Sequence, residues 1–426
     1  MLEKLYEIYT NNPGVQTDTR KLAPGDIFFA LKGPSFNGNV FAKKALDAGA
    51  SYVVVDEDPG FSDARIFRTE DVLTTLQQLA GYHRQQFSIP FIGITGSNGK
   101  TTTKELMHAV LSQKYRTYTT VGNLNNHIGI PLTLLSIKAD AEMAVIEMGA
   151  NHRGEIAGYC QYADPTHGLI TNCGKAHLEG FGSEEGVRKG KGELYDYLRS
   201  HNGTAFVMWD YMYLREMSRG LKIFTYGTRN ADLNGVIENN QPFIDILLQD
   251  TMQVKSHLVG DYNLPNILAA AGAGKFFGVA DEDIKAAIEN YQPSNSRSQL
   301  VEKGSNKIIL DAYNANPSSM KAAIENFAGL PGNKKSLVLG AMMELGKDSP
   351  EEHRSLLETI KKYPWQQVLL VGGDFEMLAE APFLFFKTSG DAAAWLSDNI
   401  LHNTTYLVKG SRSTKMEDVM AAFNAG

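Results

Sequence analysis

A buried-strand run, Phe91-Ile-Gly-Ile-Thr95, empties directly into Gly96-Ser-Asn-Gly-Lys-Thr-Thr102, and helix-forming residues follow. This order of apolar strand, glycine turn and helix start constrains the fold more than any other feature of the chain. The turn exposes backbone N–H groups and the helix N-terminus adds a positive end, so together they cradle a phosphate. Lys100 is placed to reach the β- and γ-phosphates, and Thr101 to offer its hydroxyl to Mg²⁺. Gly96, Ser97, Asn98, Gly99 and Thr102 complete the loop. The general pattern asks for a glycine five residues before Gly99; position 94 is Ile, and the nearer glycine is Gly96. An ordinary strand-to-helix turn is the alternative reading.

From this loop onward strands and helices alternate for about two hundred residues, which argues a mostly parallel sheet with helices on both faces. Met143–Glu147, Gly168–Thr171, Thr204–Met208 and Lys222–Thr225 read as its strands. Near 231–259 the pattern shifts to shorter strands, and Leu264 to Phe277 reads as an alanine-rich helix. Before the loop lies a small α/β unit. Its strands are Asp26–Leu31 and Ser51–Val55, its helices run over Phe41–Ala48 and about Val72 to Gln86, and Pro90 ends the last one. A third unit starts near Pro293-Ser-Asn-Ser-Arg297, with strands at 307–311, 336–339, 368–371 and 405–408. The 426 residues suit two to four domains.

Composition removes several classes. Lys and Arg number 41 against 48 Asp and Glu, a formal charge of −7 with no long basic run, so nucleic acid is not an expected partner. No apolar run approaches the ~18 residues of a membrane span, so no membrane insertion is expected. The opening residues MLEKLYEIYTNN lack a signal-type apolar stretch. Two cysteines, Cys160 and Cys173, support neither a disulfide framework nor a thiolate metal site, and a cytoplasmic location is expected.

Other candidates are weaker taken singly. Glu147 stands at a strand's C-terminal end, where ligands gather in open α/β sheets. It could hold Mg²⁺ or be a solvated acid. His177 follows another strand end, and a lone His is more often structural. On spacing alone Lys191 reads as a solvated helix lysine. The Asn-rich stretches at 122–131 and 311–317 read as turns, or as polar recognition beside a phosphate loop.

In order, these motifs resemble the Mur ligase family of peptidoglycan synthesis over essentially the whole chain. The shortened loop Thr95-Gly-Ser-Asn-Gly-Lys-Thr-Thr102 is similar to the family's own form. Thr119-Thr-Val-Gly-Asn-Leu-Asn-Asn126 resembles its substrate segment, which implies substrate contacts for Asn125 and Asn126. Glu147-Met-Gly-Ala-Asn151 resembles the Mg²⁺-binding glutamate motif. Ala176-His-Leu-Glu-Gly-Phe-Gly-Ser183 resembles the segment with a metal-binding His177. Lys191-Gly-Glu193 resembles the motif of the lysine that the family carbamylates. Gly260-Asp-Tyr-Asn-Leu-Pro-Asn266 resembles the segment whose Asn meets adenine, Asn266 first and Asn263 second. Arg297, Asp311 and Tyr313 match nucleotide-binding positions of the third domain. Asp18-Thr19-Arg20 and Pro24–Leu31 resemble the UDP-binding domain, with Asn37 in a second contact region. Asn314, Asn316, Lys409, Ser411 and Arg412 complete the implied substrate contacts. Ser296, Ala341 and Ser413 depart from the family pattern, which commonly has Gly, Asp and Gly there.

The resemblance implies three α/β domains. They are a small UDP-binding domain (1–88), a central P-loop-type ATPase domain with a mostly parallel sheet (89–294), and a Rossmann-like C-terminal domain (295–426). It implies ATP-dependent amide formation through an acyl phosphate, with ATP and Mg²⁺ as cofactors and Lys100, His177 and Lys191 as catalytic groups. Tyr313-Asn-Ala-Asn-Pro317 resembles the members that join D-alanyl-D-alanine to UDP-N-acetylmuramoyl-tripeptide; tripeptide-forming and folylpolyglutamate relatives carry a His-containing version. A sibling ligase adding another amino acid, and a P-loop ATPase driving a partner, are the alternatives. A monomer is expected.

Overall fold

The computed structural model describes residues 2–12, 14–294 and 296–424. Three main sheets follow one another along the chain. The first has four parallel strands in the order Val15–Gln16, Ile27–Phe29, Tyr52–Val55, Ile66–Arg68. Side chains alternate across it: Ile27, Phe29 and Val54 face the main core, while Phe28, Val53 and Val55 pack with Ala42, Ala45 and Leu46 on the other side.

The second sheet has nine strands. Phe91–Thr95 lies between His167–Ile170 and Met143–Glu147, and Thr117–Thr119 forms the edge beyond Met143–Glu147. The chain thus winds to one side of Phe91–Thr95, returns, and crosses to the other side. The reversal makes a switch point at the C-terminal end of Phe91–Thr95, where such sheets open a crevice. Thr204–Met208 and Lys222–Gly227 continue the parallel part. The region 231–259 departs from the expectation of shorter strands. Leu233–Asn240, Phe243–Leu248 and Met252–Val259 are eight, six and eight residues long and form an antiparallel meander. Alternating burial along them, with one face wet, breaks the continuous apolar runs that mark the parallel strands.

The helix Val72–Arg84 starts at an Asp71 cap and ends six residues short of Pro90. It packs on Gly129–Leu135 and Glu155–Ala163 of the middle unit. Its last residue, Arg84, is buried, donates to the Ala163 and Asp164 carbonyls, and lies 3.8 Å from the Phe91 ring centre.

The third sheet runs Gln299–Lys303, Asn306–Asp311, Thr405–Lys409, Lys335–Gly340, Gln367–Val371, Leu384–Phe386, with only the first pair antiparallel. Its two faces alternate as well: Ile309, Leu337 and Leu407 join the main core, and Ile308, Val338 and Val408 a separate one. Among the described residues no helix is long and apolar enough to cross a membrane.

Candidate active site

Two of the loop's glycines are required sterically. Gly96 has φ +142°, and a Cβ there would lie 2.0 Å from Thr171 Oγ1; Gly99 has φ +80°, and its Cβ would lie 2.4 Å from Asn266 Oδ1. The loop is pinned from the neighbouring strand end. Ser97 N–H donates to the Asn172 carbonyl (2.9 Å), Asn98 N–H to Asn172 Oδ1 (3.1 Å), and Ser97 Oγ to the Gly174 carbonyl (2.8 Å). Lys100 opens the helix Lys100–Leu111 and folds its ammonium back onto the Gly96 carbonyl at 2.8 Å. Burial pulls this ammonium below its ordinary pKa, Glu147 opposes the shift, and Arg297 adds to it.

Glu147 is 1% exposed, so it is no solvated acid. Thr101 Oγ1 donates to its Oε2 (2.9 Å) and Asn125 Nδ2 to its Oε1 (2.8 Å). Thr102 lines the cleft beside them. Asn126 turns its Oδ1 to the N–H groups of Ile128 and Gly129, so it shapes the loop's exit. Behind the loop, Asn266 Oδ1 accepts from Thr103 and its Nδ2 donates to Asn263 Oδ1 (2.8 Å).

Lys191 is fully buried, against the solvated position its spacing suggests. The glycines Gly190 and Gly192 gave no apolar stripe from which a buried face could be read, and only the packing of Glu184–Ser200 reveals it. Lys191 Nζ donates to the Ala150 carbonyl (2.8 Å) and lies 4.9 Å from the Phe181 ring centre. Burial first, and then the charge of Lys100, push this amine down to about 7. Glu193, two residues on, accepts from the N–H groups of Gly154 (2.6 Å) and Ala157 (3.0 Å), capping the helix that follows the Glu147 strand.

The third domain closes over this floor. Asn316 Nδ2 donates to Asn98 Oδ1 (2.7 Å) while its Oδ1 caps the helix Pro317–Gly329. The Arg297 guanidinium stacks 3.6 Å from the Tyr313 ring centre, and its buried Nε meets no acceptor among the described residues. Ser296 beside it has φ +56°, a left-handed conformation that accounts for glycine being common there. Asp311 pairs with the buried Lys409 at 2.6 Å and accepts from Ser298 N–H. His177 Nδ1 faces Glu344 Oε2 at 2.5 Å, and this contact holds the Glu344 carboxyl below its usual value. The result is a cleft of about 830 Å³ lined by residues of the second and third domains, Asn314 among them.

Some expected site residues lie elsewhere. Asp18 and Arg20 pair with each other at 2.7 Å on the surface of the first domain, with Thr19 in the turn between them. Asn37 donates to Glu57 and accepts from Asn39 N–H. None of these four lines the cleft. Ser411 is buried, accepting from Met343 N–H, and Arg412 pairs with Glu417 outside. Glu344 and Tyr262, which line the cleft, and the 2.6 Å ion pair Lys175–Glu352 are not singled out by the sequence motifs above. Glu344 follows the end of the strand Lys335–Gly340, the same positional signal that marked Glu147.

The doubly wound middle sheet, its phosphate loop and the third domain folded over it define a nucleotide-dependent ligase architecture, and the chain belongs to the Mur ligase family. Three family models match it in order: Mur ligase family, catalytic domain, over residues 13–80; Mur ligase middle domain over 94–274; and Mur ligase, glutamate ligase domain, over 296–412. It is 36% identical to the UDP-N-acetylmuramoyl-tripeptide--D-alanyl-D-alanine ligase of Bacillus subtilis, over 96% of this chain and 92% of that protein. It superposes on MurF from Acinetobacter baumannii with a TM-score of 0.87 at 30% identity, covering 98% and 97% of the two chains. It also superposes on MurF ligase from Thermotoga maritima in complex with ADP, with a TM-score of 0.87 at 29% identity, covering 97% of each chain.

Proposed function

We infer that the chain is an ATP-dependent, ADP-forming ligase that joins D-alanyl-D-alanine to UDP-N-acetylmuramoyl-tripeptide in peptidoglycan precursor synthesis. The observation that carries the reaction type is one cleft in which Lys100 and the Thr101–Glu147 pair face Arg297, Asp311 and Asn316 of the third domain. The substrates follow from the near-full-length relative at 36% identity. Residues 1–88, 89–294 and 295–426 would bind the UDP end, bind ATP, and close the site. With both substrates nucleotide-linked or small and polar, we place the reaction in the cytoplasm.

The tripeptide carboxylate attacks the γ-phosphate, giving an acyl phosphate and ADP. The amine of D-alanyl-D-alanine then attacks the acyl carbon, and the tetrahedral intermediate expels phosphate. The first step brings two anions together, so it needs dense positive charge. Lys100 would supply it together with the loop's N–H groups other than those of Ser97 and Asn98, which Asn172 holds. Phosphates beside Lys100 would restore the ammonium that burial weakens. Arg297, with a free N–H and one face on Tyr313, is suited to a phosphate or an adenine ring, and Asn266 and Asn263 sit at the back of the nucleotide's path. Asn125, Asn126, Asn314, Asn316 and Lys409 would position the acceptors, and Asp18, Thr19, Arg20, Asn37 and Arg412 would act at the far ends of the substrates; Ser411, buried between Met343 and Ala315, would support the loop rather than touch substrate.

The hydroxyl of Thr101 and the carboxylate of Glu147 are hard oxygen donors already side by side, which fits Mg²⁺. Such a metal takes one or two protein ligands and completes its shell with phosphates and water. When bound, Mg²⁺ would neutralise charge on the phosphates. His177 and a carbamylated Lys191 would serve a second metal. A neutral buried amine is the form that takes up CO₂, and the carbamate would present oxygens where an ammonium would repel a cation. Mass spectrometry of the product made from ATP, UDP-N-acetylmuramoyl-tripeptide and D-alanyl-D-alanine tests the reading: it should find the pentapeptide nucleotide. A dipeptide-independent product would replace this reading with that of a sibling ligase.

A further inference from the structure

The segment Gly174–Glu179 belongs to the middle domain, leaving the strand His167–Ile170, yet the third domain grips it along its length. Lys175 N–H donates to Ser318 Oγ at 2.9 Å, and Lys175 Nζ meets Glu352 Oε1 at 2.6 Å. Glu344 places its Oε2 2.5 Å from His177 Nδ1, and its carbonyl accepts from Glu179 N–H at 3.2 Å. His177 and Glu344 have φ of +52° and +62°. Non-glycine residues keep such backbone only where the surroundings over-determine it.

One helical turn of the third domain controls both ends of this grip. Glu352, its side chain 13% exposed, lies in the first turn of the helix Ser349–Ile360. The next residue, His353, is fully buried. Its Nε2 accepts from Met342 N–H (3.0 Å) and its Nδ1 donates to the Ser349 carbonyl (2.8 Å), which fixes the loop that carries Glu344. A rigid turn therefore holds Lys175 directly and His177 through Glu344.

We propose that Lys175 and Glu352 are positioning residues whose ion pair makes the placement of His177 conditional on the third domain being closed. The inference rests on the ligase reading above and adds the contact through which closure assembles the site. Neither residue touches the reacting atoms; both act through the segment that bears His177. Most partly exposed pairs contribute little. This one differs in joining two domains, so its effect falls on the closed fraction rather than on folding.

The test is a charge swap in the full chain, assayed with ATP, UDP-N-acetylmuramoyl-tripeptide and D-alanyl-D-alanine. Glu352→Gln should lower kcat by up to about fivefold, the upper range for one such pair. Glu352→Lys and Lys175→Glu, which add repulsion, should lower it by roughly tenfold. The double variant should recover most of the loss. KM for the muramyl substrate and the thermal midpoint should stay near wild type, and small-angle scattering should show the single variants more extended. A double variant no better than the worse single one, or single variants with wild-type kcat, overturns the inference. So does a KM that rises in step with the loss of kcat. A wild-type chain that forms no amide overturns the functional reading and this inference with it; amide formation by the wild type with a failed swap overturns this inference alone.

Discussion

Thr101, in the first turn of the helix after the strand Phe91–Thr95, and Glu147, 46 residues on at the end of the adjacent strand Met143–Glu147, meet in a 2.9 Å hydrogen bond. Neither is left to solvent, and Asn125 holds the second carboxylate oxygen. A metal entering between the two oxygens would take a lone pair of the hydroxyl, whose O–H would turn away, and would find the carboxylate already aimed.

If Glu147 holds Mg²⁺ as proposed, Asn125, which donates to its Oε1, would orient that ligand. Asn125→Leu should raise the Mg²⁺ concentration needed for half-maximal activity by about 10–100-fold, the usual cost of losing such a partner. A magnesium titration of turnover reads this directly, and an unchanged midpoint would remove Asn125 from the metal site.

Lys191 yields a sharper test. A bland lysine would tolerate Lys191→Ala; a carbamate supplies oxygens that alanine lacks. Activity of Lys191→Ala should be nearly abolished and partly restored by a small carboxylic acid in the buffer. With its pKa down at about 7, the amine is mostly neutral at pH 8 and mostly charged at pH 6. Labelled bicarbonate should thus give a carbamate carbon signal at pH 8 that fades by pH 6 and is missing from the alanine variant. A signal unaffected by the substitution would place the modification elsewhere.

How much of this was legible in the sequence depends on the range over which each residue is determined. The phosphate loop is local: strand, glycines and helix start lie within a dozen residues, and Gly96 and Gly99 take the positive φ that their type permits. Most parallel strands were legible because burial on both faces makes them continuous apolar runs. Thr117–Thr119 and Leu384–Phe386 were not, because three residues carry no pattern. Glu147 and Lys191 looked ambiguous alone because burial is a property of what packs on them. The Lys175–Glu352 pair spans 177 residues and leaves no sequence trace at all.

Acid stability offers a check on the middle domain that is independent of catalysis. His167 sits among Phe206, Phe276 and Phe277, and burial pushes its pKa from 6.5 to about 4. The unfolded chain takes up this proton near 6.5 and the folded one only near 4, so stability falls as pH drops through that window. The loss from this group is about 3 kcal/mol, complete below pH 4 and zero above 6.5. His167→Phe should leave the pH 8 unfolding midpoint little changed and make its decline between pH 6.5 and 4 shallower. Parallel curves for the two proteins would show that His167 is already charged in the fold.

The central claim is that phosphoryl transfer is tied to amide formation, and ADP release measured against omitted substrates tests it most directly. With ATP, UDP-N-acetylmuramoyl-tripeptide and D-alanyl-D-alanine together, the account predicts sustained release of one ADP and one phosphate per amide formed. Without the muramyl peptide release should stay at background, and without the dipeptide it should stop at about one turnover, because the acyl phosphate has no amine to meet. Sustained ADP release in the absence of either acceptor, with no amide product, would contradict the account and mark the chain as an ATPase instead.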